Sequence, residues 1–433
     1  MILLRSCPAI CLNTGPPRRR SSSRSTSAGI GCLNDGFATI DSLKCPCFGS
    51  SKKHHKRQNC RTKDSTGQNM RIRIITDDFT SALDGTACFA ERGWNTAVLM
   101  QPDVTASAAV VSLDTDTREK PDAPEGDLVA TAASMWREAD LLVIQFDSTL
   151  RGRVARDCLT ARAASARRKL LVVPAFPSAG RTTEGGCVYV DDVPVHETAF
   201  GLDPTLPVRE SSIPALFHAY GISVEVARDA THARELFDTH DAVVVDARIE
   251  ADLDALVDSF ATRDDLLWAG STGLLRALAR SLPVPAAKVV DDHAAPAATR
   301  PWLVVGSMNP RSRLQLYVAR TQRRINVLAT SNTRLPEHAI SQAALRDLVM
   351  QAANLIRSGA CNGLVATGGE TARRIVDALP VRSLRVCREV LPGVPLVEVQ
   401  TSVDTFPMIT KAGGFGDDNA LLTCIDALTG AKS

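Results

Sequence analysis

Aromatic residues make up only 4% of the 433-residue chain, although 44% of it is hydrophobic. Its cores must therefore be packed with Leu, Val, Ile and Ala. No apolar run reaches the roughly 18 residues that a membrane-spanning helix needs, so a membrane partner is not expected. The motif G-x-x-x-x-G-K-[ST] is missing, as are G-x-G-x-x-G after a strand and the G-x-S-x-G elbow. A P-loop nucleoside triphosphatase, a dinucleotide oxidoreductase and an α/β-hydrolase are left without support. There is no paired C-x-x-C spacing and no internal repeat of fixed period.

The formal net charge of +2 hides an uneven distribution. Residues 1–70 carry seven Arg and five Lys against three Asp, a net +9, and the remainder carries 38 basic and 45 acidic groups, a net −7. A mildly acidic body argues against a nucleic-acid surface. Cysteine is skewed in the same way: Cys7, Cys11, Cys32, Cys45, Cys47 and Cys60 lie in the first 70 residues, and the other six are scattered singly. Single cysteines in an α/β body read as small buried hydrophobes in a reducing cytoplasm.

Residues 1–69 show neither helical nor strand periodicity, and Met1–Leu4 is too short for the apolar region of a signal peptide. A metal site from Cys45, Cys47, His54, His55 and Cys60 lacks paired spacing, and an Arg- and Ser-rich transit peptide is the second reading. The third, preferred here, is a disordered or untranslated extension with the fold starting at Met70.

From Arg71 onward apolar strands alternate with helical stretches, the pattern of an α/β fold with parallel sheets. Strands are predicted at Ile72–Ile75, Thr96–Met100, Ala109–Leu113, Leu141–Gln145, Leu170–Val173, Ala242–Val245 and Leu266–Ala269. Leu282–Pro301, rich in Pro and Ala, reads as a linker. A second unit follows, with strands at Trp302–Val305, Ile325–Ala329 and Gly363–Ala366. The expectation is two α/β domains, residues 70–290 and 300–433, each a mainly parallel sheet with flanking helices.

Ligands of open parallel sheets sit beyond the carboxyl ends of the strands. Behind the first strand stand Asp77 and Asp78, with a helix expected near Ser81. Two adjacent carboxylates are costly to crowd together without a cation or a hydroxyl-rich ligand, although one alone would be an ordinary helix cap. The segment Asp147-Ser148-Thr149-Leu150-Arg151-Gly152 offers a carboxylate, two hydroxyls and a guanidinium suited to a carboxylate or phosphate, where capping alone would not need Arg151. Pro174–Gly186 reads as a long loop over a site. In the second unit three glycine turns follow: Gly306–Pro310, Thr367–Thr371 and Lys411–Asp418. Glycine at such turns lets backbone N–H groups approach phosphate oxygens, though tight turns want glycine anyway.

Taken in order, these segments resemble the four-carbon acid sugar kinase family, which phosphorylates threonate, erythronate and 3-oxo-tetronates. The resemblance runs from Arg71 to the C-terminus. It rests on Asp77–Ala82, Asp147–Gly152, Pro174–Gly186 with Asp203-Pro204, Gly270–Leu274, Gly306–Pro310, Thr367–Thr371, Pro392–Pro395 and Lys411–Asp417. It implies a cytoplasmic enzyme using ATP and Mg2+, with the sugar acid on the N-terminal domain and ATP on the C-terminal one. Asp78, Arg118, Asp147, Ser148, Thr149 and Arg151 would contact the acid. Ser307, Gly368, Gly369, Glu370, Thr371 and Gly414 would contact the nucleotide. Asp417 is the candidate base, metal ligands are unassigned, and a homo-oligomer is left open. Two departures bear on activity: Ile144 and Gln145 stand where the family usually has lysine, and the stretch from Gly306 to Thr367 is short for the family. They keep a rival reading alive, a degenerate kinase that binds sugar acid or nucleotide without turnover.

Overall fold

Runs of β-branched and aliphatic residues bounded by polar turns become the strands, and the intervening Ala- and Leu-rich segments become helices. The computed structural model describes residues 70–103, 106–120, 128–203, 205–283, 295–331 and 338–431, so the 1–69 extension and most of the Pro- and Ala-rich passage lie outside the described residues. In chain order the first strands and helices are β1 Ile72–Thr76, α1 Phe79–Ala90, β2 Thr96–Leu99, β3 Val110–Asp114, α2 Leu128–Met135, β4 Leu141–Gln145, α3 Val154–Ser165 and β5 Lys169–Val173. Next come β6 Arg181–Glu184, β7 Cys187–Val190, β8 Val193–Pro194, α4 Ile213–His218, β9 Glu225–Ala227, α5 Ala230–Leu236, β10 Ala242–Val245, α6 Glu250–Phe260, β11 Leu266–Gly270 and α7 Thr272–Ser281. The C-terminal part holds β12 Pro301–Val305, α8 Pro310–Gln322, β13 Asn326–Ala329, α9 His338–Arg357, β14 Gly363–Thr367, α10 Gly369–Asp377, β15 Val381–Leu391, β16 Val394–Thr401, β17 Thr405–Lys411 and α11 Ala420–Thr429.

Fourteen strands form one sheet in the order β13-β12-β14-β17-β16-β15-β2-β3-β1-β4-β11-β5-β10-β9. The fold is α/β and mostly parallel, as expected. The departure is the antiparallel insert β15-β16-β17, which joins the two sets of parallel strands through β15 and β2, with Leu384 opposite Val98. These strands are hard to read from sequence: Arg382, Arg385 and Arg388 interrupt the apolar pattern of β15, and prolines stand in β16 and β17. In the sheet Arg385 instead pairs across the strand with Glu398 at 2.9 Å. Pro174–Gly186 is likewise not one loop. Arg181–Glu184 is a strand hairpinned onto β7 through Gly185 and Gly186, whose φ values of 58° and 72° are those of a two-residue hairpin turn.

Two cores cover the faces of the N-terminal strands, and a third lies beneath α8 and α11. The fourth spans both halves: Phe79, Leu83 and Ala87 of α1 and Val98 of β2 pack with Leu364, Ile375, Leu384 and Met408. This shared core brings the N-terminus of α1 against that of α10 and fixes where the two groups of polar loops meet.

Candidate functional site

The turn after β1 is built around one guanidinium. Arg118 Nε and Nη2 donate to the two oxygens of Asp77 at 2.8 and 2.7 Å, Nη2 also to Ser81 Oγ at 2.7 Å, and Nη1 lies 2.8 Å from Asp78 Oδ2. Asp78 caps α1, its Oδ1 accepting from the N–H of Ser81 at 2.7 Å, so the helix starts at Phe79, two residues earlier than the pattern suggested. Burial pushes Asp77 up to about 6, even with Arg118 beside it. Burial also works against the charge of Arg118, but Asp77, Asp78 and Asp147 hold it protonated well above its usual range.

The loop after β4 packs onto this turn. A Cβ on Gly152 (φ 92°) would come within 3.3 Å of Arg118, and buried Leu150 takes a φ of 62° that non-glycine residues seldom adopt. Thr149 Oγ1 donates to Asp147 Oδ2 at 2.6 Å and Arg151 Nε to the same oxygen. Asp147 is only 11% exposed, yet Arg118 and Arg151 together hold its carboxyl below the usual range. Arg151 lies over the Phe200 ring at 5.6 Å, and no other hydrogen bond among the described residues engages its guanidinium. Ser148 is half-buried in the same turn. One face thus presents carboxylates, hydroxyls and a partly free guanidinium, the groups that recognise a polyhydroxy acid.

Opposite it, adjacent β12, β14 and β17 carry the three glycine turns side by side. A Cβ on Gly306 would strike Thr371 Oγ1 at 2.0 Å and one on Gly413 would strike Ser307 Oγ at 2.4 Å, so glycine is required where these turns converge. Gly368, at φ 103°, caps α10 without any side-chain hydrogen bond, which leaves the positive end of that helix without a side-chain partner. The loop 412–416 is tied from beneath. Buried Lys411 donates through Nζ to the carbonyls of Ala412 and Phe415 at 2.9 and 3.0 Å, and buried Gln315 donates to those of Phe415, Gly416 and Asp417. Burial lowers Lys411 to about 8. With these carbonyls engaged from below, the loop suits an anion bound through its N–H groups.

The two faces touch. A Cβ on Gly369 would sit 2.7 Å from Thr80 Oγ1, in the first turn of α1. Ser307, Gly368, Gly369, Thr371 and Gly414 therefore gather on one side, and Asp78, Arg118, Asp147, Ser148, Thr149 and Arg151 on the other. Glu370 turns aside, its Oε1 accepting from Arg374 at 2.7 Å and from Gln342 at 3.3 Å. Asp417 is exposed and accepts from the N–H of Asn419 at 3.0 Å. Asp114, which ends β3, and Lys411, which ends β17, were not singled out as site residues from sequence, whereas Asp77 was visible as the neighbour of Asp78. Among the described residues, no group of three or more His, Cys, Asp or Glu side chains converges as a metal site would.

Comparison with known proteins bears on both faces. The family models of a sugar-binding N-terminal domain and a nucleotide-binding C-terminal domain match residues 72–278 and 331–421. The D-threonate kinase of Cupriavidus necator is 31% identical over 428 residues, covering 83% of this chain and 98% of its own length. The chain belongs to the four-carbon acid sugar kinase family. Two further members match over a similar span. The D-threonate kinase of Salmonella typhimurium is 27% identical, covering 81% of this chain and 97% of its own length. The 3-oxo-tetronate kinase of Burkholderia multivorans is 26% identical, with 82% and 97% covered. A crystal structure from Salmonella typhimurium LT2 superposes with a TM-score of 0.69 at 20% identity, covering 82% of this chain and 98% of that one, a likeness of fold. The family's division into sugar-binding and nucleotide-binding parts runs in the same order along the chain as the acid face and the glycine turns.

Proposed function

We propose that this sugar-acid kinase transfers the γ-phosphoryl group of ATP to the terminal hydroxyl of a four-carbon sugar acid: threonate, erythronate or a 3-oxo-tetronate. The observation that carries the reading is the meeting of two unlike faces, an α10 N-terminus lacking a side-chain cap against a buried Asp–Arg cluster, with Gly369 and Thr80 at the seam. The sugar-acid side comprises residues 70–290 and the nucleotide side residues 300–433. Arg151 clamps the substrate carboxylate, while Asp147, Ser148, Thr149 and Arg118 border its hydroxyls. Ser307, the N–H groups of Gly368, Gly369 and Thr371, and the loop around Gly414 hold the phosphates, and Glu370 orients the start of α10 through Arg374. The cradle suits phosphate because the turns pack closely, with no room for a side chain on Gly306 or Gly413, beside an α10 N-terminus that has no side-chain cap.

During transfer the hydroxyl oxygen forms a bond to the γ-phosphorus as the bond from that phosphorus to the departing ADP oxygen breaks. The hydroxyl proton passes to a carboxylate. Asp78, which also borders the substrate hydroxyls and caps the helix whose Thr80 meets Gly369, is the base favoured by the geometry, and Asp417 in the glycine loop is the second candidate. Mg2+ would arrive with the nucleotide, neutralising phosphate charge with one or two carboxylates as its protein ligands, and no residue is assigned to it. We place the reaction in the cytoplasm, because the six described cysteines are free thiols and five of them are buried.

Purified protein is assayed for ADP release with ATP, Mg2+ and each of threonate, erythronate and their 3-oxo forms. Release that requires one of these acids supports the kinase. Melting temperatures raised by ATP and a tetronate without any ADP would replace it by the binding protein, a reading motivated by Gln145. Where a lysine is usual, this side chain is buried and donates to Thr272 Oγ1 at 3.1 Å.

A further inference from the structure

α10 does more than end in a glycine turn. One turn after Gly369, Arg373 leaves the nucleotide side and reaches β3, where its Nη1 donates to Asp114 Oδ2. Its Nε is held 3.0 Å from both oxygens of Asp377, which fixes the direction of the side chain. Asp114 is fully buried and Arg373 nearly so. The other oxygen of Asp114 accepts from the N–H of Asp116 at 2.8 Å, in a turn where Asp116 takes a φ of 51°. That turn leads directly into the N–H groups of Thr117 and Arg118, which donate to the carbonyl of Asp77 at 2.9 and 3.0 Å. Arg118 then grips Asp77 and Asp78. An unbroken line of polar contacts thus runs from the helix that begins at the phosphate turn to the carboxylates that face the acid.

We propose that Arg373 is a positioning residue for phosphoryl transfer, which through Asp114 fixes the spacing between the Gly368–Gly369 turn and the Asp77–Asp78 pair. The proposal rests on the functional reading above. Arg373 touches neither reactant in this scheme. Its role is to join the faces that hold them, alongside the direct contact between Gly369 and Thr80. Transfer between two bound molecules depends on the distance between the reacting atoms, and a displacement of about 1 Å can cost roughly 10²-fold in rate. Burial pushes Asp114 up to about 7 even with Arg373 beside it, so this carboxylate depends on its partner for its charged form.

Wild-type turnover is measured first on the panel above, and its absence would remove the functional reading and this proposal together. With turnover in hand, Arg373→Met should lower kcat about 10²-fold. The Kd of ATP and that of the sugar acid, each titrated alone, should stay within about two-fold of wild type. Arg373→Lys keeps a charge and should recover part of kcat. Arg373→Met combined with Asp114→Asn should be no slower than the slower single variant, because both changes cut one link. An unchanged kcat in Arg373→Met, or multiplicative losses in the double variant, overturns the role of Arg373 and leaves the kinase reading standing. Should Arg373→Met fail to fold, the cycle of Arg373→Lys with Asp114→Asn decides by the same criterion.

Discussion

Replacing Arg118 by Met takes one cation away from Asp77, Asp78 and Ser81 at once, and two of these partners are carboxylates. A buried carboxylate without its cation is destabilising by about 3 kcal/mol or more, and protonation relieves the cost. Asp77 already sits near 6 through burial, so its contribution to stability is full at low pH and is lost as pH rises through that value. In Arg118→Met its pKa rises further. Denaturant melts should show a loss of ~3 kcal/mol near pH 8 that shrinks toward about pH 5. A loss that grows on acidification would contradict the assignment. Arg151 differs, because its Nε is tied to Asp147 while the rest of the guanidinium faces Phe200 and open space. Arg151→Ala should weaken sugar-acid binding by ~1.5–3 kcal/mol and leave ATP binding nearly unchanged. Equal losses for both ligands in calorimetry would mean that the variant is misfolded and the clamp wrongly assigned.

Three elements meet at a second, half-buried cluster. Glu389 of β15 and Asp84 of α1 lie 3.2 and 3.8 Å from Arg276 of α7, and Arg276 stacks on Phe176. Burial pushes Glu389 up to about 7 and raises Asp84 as well, since one cation serves two carboxylates. A raised carboxyl pKa contributes stability below its unfolded value near 4.5 that is lost as pH climbs through about 7. Between about pH 5 and pH 8 the wild type should therefore lose more stability than Glu389→Gln, by on the order of 2 kcal/mol. Parallel melting curves for the two proteins would rule out the raised Glu389 carboxyl. The strands differ in how far sequence alone reveals them. Strands β1, β4 and β10 were readable because Ile72, Ile74 and Ile75, Leu141–Ile144 and Ala242–Val245 give short aliphatic segments buried on both faces, with Arg73 the one charge among them. Strand β15 was not, because Arg382, Arg385 and Arg388 break its apolar pattern, and the cross-strand partner that accommodates Arg385, Glu398 of β16, is not evident from the strand alone. The site residues divide similarly. Asp78 and the glycine turns lie at strand ends and were visible, whereas the pairing of Arg373 with Asp114 joins positions 259 residues apart.

At the scale of the whole molecule, two ligand-binding sides need not be two independent folding units. Phe79 and Val98 from the N-terminal side share a core with Ile375, Leu384 and Met408 from the C-terminal side. Neither side can unfold without exposing apolar surface of the other, so calorimetry on the ligand-free protein should record one cooperative transition. Two separated transitions would show that residues 70–290 and 300–433 fold autonomously and that this core contributes little.

The central claim is that the sugar acid and the nucleotide occupy opposite faces of one seam, and calorimetric titration of both ligands into Asp78→Ala and Gly414→Val tests it most directly. Gly414 has no positive φ, and an added Cβ would meet only Asn309 Nδ2 at an ordinary 3.6 Å. The valine should therefore fold and obstruct only what approaches the loop. ATP binding should be lost in Gly414→Val with sugar-acid binding retained, and Asp78→Ala should show the reverse. If Asp78→Ala abolishes ATP binding while Gly414→Val leaves it intact, the two ligands have been assigned to the wrong faces.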